Sequence, residues 1–202
     1  MKFLRQVRIV QKYEIVYNYT KRKIKYLESI GGTPAGKAMM AEIRHGAGRH
    51  PGEMPDLWGL VFDGLPEELM GAQNVSDAEW AIYIALTLYA LHQQGKDRPM
   101  QADKVSLGQA AARLVKDEDD RERVLRRLSP VVTATSKEDL AQNLRGLVQL
   151  LKSDDIALDH ARLAKEIYLF GNPDFAGNIK LAWGRDFYRE KFQNNEQEGA
   201  EE

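Results

Sequence analysis

Arg123, Arg126 and Arg127 stand at i, i+3 and i+4, the spacing that brings three guanidinium groups onto one helix face. The apolar residues of the same segment, Val124, Leu125 and Leu128, point mostly elsewhere. A planar guanidinium donates two hydrogen bonds to phosphate oxygens. Such contacts release counterions and read no base sequence. The competing reading is a solvated face whose arginines pair with carboxylates of the adjacent run Asp117-Glu118-Asp119-Asp120, the ordinary fate of a single basic cluster.

Two further groups carry the same chemistry. Arg44, His45, Arg49 and His50 lie where a helix ends in a glycine-rich loop. They either complement the helix dipole or present phosphate donors on backbone that can approach closely. Lys180 and Arg185, with Arg189 beyond, flank Trp183. That arrangement would allow a base to stack, although a tryptophan at helical spacing is more often a core anchor. Lys21, Arg22, Lys23 and Lys25 would grip nucleic acid or simply solvate a helix.

Other chemistries find little support. The chain has no cysteine, which excludes disulfides, thiolate zinc sites and a cysteine nucleophile and suits a reducing cytoplasm. There is no phosphate-binding loop, nucleophile elbow or His-Glu-x-x-His, and no histidine pair at i, i+4. The loop from Gly46 to Gly52 lacks the dinucleotide fingerprint and follows a helix rather than a strand. No metal or other cofactor is expected. Carboxylates are plentiful, but no acid–base pair stands out. No apolar run reaches the length of a membrane span, and no secretory signal follows Met1-Lys2-Phe3-Leu4-Arg5.

The elements that must position these residues read as helix after helix. Thr33-Pro34 starts one and Gly46 stops it. A long connection from Gly46 to Gly71 contains a short turn near Asp56-Leu57-Trp58. Ser76 and Glu79 form a capping box before an apolar run, Trp80 to Leu91, that must be buried on all sides. Ser106 caps a segment from Leu107 to Val115, and Asp117 to Asp120 favour the next N-terminus. Ser136 opens a helix with the inward stripe Leu140, Leu144, Leu147, Val148 and Leu151. Asp159 caps another, Gly171-Asn172-Pro173 breaks it, and a last helix runs from about Asn178 to Phe192. Residues 6–19, rich in Val, Ile and Tyr, fit either helix or extended chain. Gly108 and Gly146, inside helices, each cost about 1 kcal/mol relative to alanine, which close helix approach or a subunit contact would offset.

The expected fold is all-α: a helical bundle of two small packed lobes. A formal net charge of −1 conceals a basic front and an acidic end. Residues 1–14 form a basic extension, 15–192 the helical domain with a lobe boundary near 96–105, and 193–202 an acidic tail expected to be disordered.

In order along the chain, these segments resemble the CasB family, the small subunit of bacterial type I-E CRISPR surveillance (Cascade) complexes. The resemblance runs from Ala41-Glu42-Ile43-Arg44-His45-Gly46-Ala47-Gly48-Arg49 through Pro55-Asp56-Leu57-Trp58 to Ala85–Gly95. It continues with Ser106-Leu107-Gly108-Gln109-Ala110, Arg126-Arg127-Leu128, Leu158–Ala164 and Trp183-Gly184-Arg185-Asp186-Phe187-Tyr188. It implies a non-catalytic clamp, present in two copies beside other Cascade subunits, that holds CRISPR RNA, target DNA and the displaced strand through backbone contacts. By position it carries over Arg44, Arg126, Arg127, Arg145 and Arg185. His45 stands where the family often has a second arginine, and a neutral imidazole donates less well to phosphate. The alternative is a protein–protein adaptor whose basic faces meet acidic partners. A helical hydrolase has only its abundant carboxylates in favour.

Overall fold

Helix starts follow capping chemistry that the sequence spells out. The computed structural model describes the backbone of residues 2–198 and the side chains of residues 11–190 apart from Glu118. Thr33 accepts from Gly36 N to open α2 (Pro34–His45), and Gly46 closes it. Ser76 and Glu79 cap each other to open α4 (Asp77–Gln93), as do Ser106 and Gln109 for α5 (Leu107–Ala112). Asp117, Ser136 and Asp159 each accept a first-turn amide, opening α6 (Glu118–Thr133), α7 (Lys137–Ser153) and α8 (His160–Phe170). Each such oxygen replaces a hydrogen bond that the helix start cannot make internally.

Among the described residues the regular structure is entirely helical. It is completed by α1 (Lys2–Ile30), α3 (Trp58–Phe62), α9 (Pro173–Glu198) and three single 3-10 turns. One isolated bridge, Gln101 to Leu158, is the only extended pairing described. No helix among these residues is long and apolar enough to cross a membrane.

One open reading is decided and the bounds of one helix change. Residues 6–19 are helical, part of one unbroken α1; within it Val16 and Tyr19 are buried against the core, which overrides weak local preference. The last helix begins at Pro173, not near Asn178, because Asn172 Oδ1 accepts from Asp174 N and proline suits the first helical position. That helix also runs past Phe192 to Glu198, since no glycine or proline intervenes before Gly199. Residues 199–202 of the acidic tail, like the side chains of residues 1–10, lie outside the described residues.

Helix α4 is the axis of the fold. Every side chain from Ala78 to His92 is buried, enclosed by α1, α2, α7 and α8, with α3 alongside. The connection at 96–105 is non-helical, yet α4 packs on α7 and α8 across it, and the buried side chains form one cluster. Helix α1 lies mainly along α8, where the Lys165 ammonium sits over the rings of Tyr13 and Tyr17, at 5.0 and 4.9 Å. Tyr19 donates to Val61 O and Tyr83 to Gly46 O, fixing the middle of the long connection to α1 and its start to α4.

Candidate nucleic-acid interface

The stripe Leu140, Leu144, Leu147, Val148 and Leu151 faces the core, so the opposite side of α7 is left to Gln142, Arg145, Gln149 and Lys152, at i, i+3, i+7 and i+10. The first three are exposed and Lys152 is half-buried. Two other elements close on this face. Gln142 Nε2 donates to Gly48 O at 2.8 Å, which ties the loop carrying Arg49 to α7. Gly48 has φ +85°, which favours glycine, and an added Cβ 2.9 Å from Gln142 Nε2 would push the end of that side chain aside. From α6, Arg127 Nη1 reaches within 3.6 Å of the point a Cβ on Gly146 would occupy, beside Arg145.

At the other end of α7, burial lowers the proton affinity of Lys152, and the positive charges of Arg44 and Lys96 lower it further. Arg44, in the last turn of α2, therefore shares a positive field with Lys152 and Lys96. Arg127, Arg145, Lys152 and Arg44 thus gather along one face of α7; Arg49 stands on the loop bonded to Gln142, with its Nη1 3.7 Å from Met54 Sδ. Lys96 and Lys152 are members that basic clustering in sequence does not reveal; the polar face opposite the apolar stripe of α7 is the signal for Lys152.

The remaining candidates sit differently. Arg123 is held by Asp120, with Nε at 3.0 Å and Nη2 at 2.7 Å from one carboxylate oxygen. Arg126 differs: among the described residues it makes only a 3.7 Å pair with Glu122, both largely exposed, a contact of little strength. Lys180 Nζ donates to Ala134 O at 3.0 Å and lies over the Phe170 ring, so it fastens α9 to the end of α6. His45 and Arg185 are exposed, the latter on α9, away from the α7 face.

The stacking role imagined for Trp183 is overturned. Its ring is fully buried and its Nε1 donates to Glu166 Oε2 at 2.6 Å. Most of the N-terminal cluster is engaged too: Lys21 by Asp103 and Tyr17, Lys23 by Asp63 O, with Arg22 over the Tyr19 ring. Among the described residues no group of three His, Asp or Glu side chains could hold a metal ion.

Residues 39–188 match the family described as CRISPR-associated protein Cse2. The fold resembles that of CasB from Thermobifida fusca, with 34% identity, a TM-score of 0.73, and coverage of 86% of this chain and 97% of that one. CasB from Thermus thermophilus is 23% identical with a TM-score of 0.64, over 84% of this chain and 97% of its own. A chain of a CRISPR RNA-guided surveillance complex is 20% identical with a TM-score of 0.71, over 90% and 98%. At these lower identities the likeness speaks to the fold. No curated protein matches the chain.

Proposed function

As the chain belongs to the Cse2 family of CRISPR-associated proteins, we propose that it is the small subunit of a type I-E CRISPR RNA-guided DNA surveillance complex and acts there without catalysis. Its partners are CRISPR RNA, target DNA, the other subunits and a second copy of itself, in the cytoplasm. Its task is to hold nucleic-acid backbone while base pairing reads sequence.

The observation that carries this reading is the α7 face. Arg145 is flanked by Arg127 from α6 and by the Arg49 loop that Gln142 secures. The guanidinium groups of Arg145 and Arg127, with Arg44 and Lys152 further along and the exposed Arg49 on the adjoining loop, make a path rather than a point. A path of cations suits a continuous phosphate chain, with affinity that falls as salt rises. Arg126 adds to it from α6. His45 and Arg185 would meet backbone only from outside this path, whereas Arg123 and Lys180 chiefly hold the fold.

Co-purification of a tagged copy from cells expressing its neighbouring genes, with RNA extracted from the eluate, tests the assignment. A multi-subunit particle carrying short repeat-derived RNA is expected. A clean protein without RNA or large partners would leave a basic helical bundle and favour the adaptor reading.

A further inference from the structure

At one end of the bundle, the C-terminal ends of α1 and α4, one side of α2 and the segment after α4 surround a cavity of about 590 Å³, within the range of about 300–1,000 Å³ typical of small-molecule sites. Its floor is apolar: Leu27, Met40 and Tyr89 line it, and each is buried. Its rim is cationic, with Lys37, Arg44, Lys96 and Arg98 set against Glu28 and Asp97.

The rim cations divide into two kinds. Lys96 pairs with Asp155 and Arg98 donates to its backbone carbonyl, so these two shape the wall. Lys37, exposed, and Arg44, half-buried, have no ion pair among the described residues. Gln94, also on the rim, accepts from Lys152 through Oε1, which leaves its amide group for a planar polar edge.

We propose that this cavity receives one unpaired base of a single-stranded nucleic acid, with the adjoining phosphodiester on Lys37 and Arg44. The inference rests on the phosphate-holding role proposed above and adds a base pocket to it. Arg44 belongs to both features, so a strand following the α7 face reaches the rim of the cavity. A nucleotide brings flat apolar faces for the floor and a polar edge for Gln94. Its single negative charge suits a rim whose cations only modestly outnumber its carboxylates. An unpaired base enters without the cost of breaking a pair, and apolar contact with its faces tolerates any sequence.

Gly32 provides the test. It lines the cavity and a Cβ there meets nothing within 4 Å, so Gly32→Trp fills space without altering charge. Fluorescence anisotropy would compare poly(dT) of about 12 nucleotides with an abasic strand of equal length. The full-length protein is expected to bind poly(dT) about tenfold more tightly, the scale of one base contact. Gly32→Trp should bring poly(dT) to the abasic level and leave the abasic strand unaffected, whereas Arg44→Ala should weaken both. Equal binding of the two strands by the unaltered protein, or wild-type binding of poly(dT) by Gly32→Trp, would overturn the pocket and leave the phosphate path standing. No binding of either strand would overturn both readings. Should Gly32→Trp fail to fold, a single 2-aminopurine in the strand reports on the unaltered protein: shielding from acrylamide is expected, and full accessibility would sink the proposal.

Discussion

The imidazoles of His92 and His160 meet edge to face in the core, with His92 Nδ1 3.3 Å from His160 Nε2. Both side chains are fully buried, and burial is the main cause that lowers both proton affinities, taking His92 down to about 4. Lys96 and Lys152 push His92 the same way, while Asp155 and the Ile156 backbone oppose them.

That pair makes stability depend on acid. In the unfolded chain each imidazole titrates near about 6.5. Above that value neither state binds the proton and nothing is lost. As pH falls below it the unfolded state takes up protons that the folded state refuses, so stability declines until the folded values are reached. Urea unfolding is expected to show a loss of about 2 kcal/mol per histidine between pH 7.5 and 5. Replacing both by Asn should flatten that slope; an unchanged slope would assign it to other groups.

Arg126→Ala, Arg127→Ala and Arg145→Ala together should weaken binding to single-stranded DNA equally for all sequences. The slope of log affinity against log salt should shrink by about 0.7 for each phosphate contact removed. Arg123→Ala, whose guanidinium already rests on Asp120, should leave that slope in place. A normal slope in the triple variant removes the α6–α7 face from the interface.

Glu166 is buried on α8, where it accepts from Trp183 Nε1 and Arg162 Nε, while Arg162 also reaches Asp186. Glu166→Ala strands the buried Trp183 Nε1 donor and should cost about 1–3 kcal/mol, while Arg162 keeps Asp186. Trp183→Phe should lower the thermal midpoint but leave the salt slope of DNA binding intact. A changed slope would mean that the buried ring contributes to binding after all.

Two helical glycines should respond oppositely to alanine. At Gly108 a Cβ would stand 2.1 Å from Trp183 O, so α5 and α9 would have to part, at about 1–3 kcal/mol. At Gly146 the nearest atom is Arg127 Nη1 at 3.6 Å, ordinary contact, and Gly146→Ala should stabilise by up to about 1 kcal/mol. Equal urea midpoints for the two variants would contradict this packing.

The helix starts and the interface differ in how local their determinants are. Caps at Thr33, Ser76, Ser106, Ser136 and Asp159 and the stripe of α7 are local chemistry, and each stands where spacing puts it. Gly171-Asn172-Pro173 reads as a break alone, and the start of the last helix is missed, because the residues that follow one helix also begin the next. Of the candidate interface, residue types and the faces they share within one helix are legible in the sequence. That Arg127 lies over Gly146 and the Gly48 loop on Gln142 depends on long-range packing, as does the capture of Lys180 by Ala134 O. No spacing within a single helix encodes those meetings.

The seating of α1 along α8 constrains how the protein is made. The ribosome delivers α1 first and α8 only after most of the chain has emerged. Until then Tyr13 and Tyr17 lack Lys165, and the apolar side of the first helix has only part of its final cover. Locking of the N-terminus is therefore a late, non-local event. Nascent chains that stall before residue 160 would present an unfinished, sticky surface of the kind that chaperones engage.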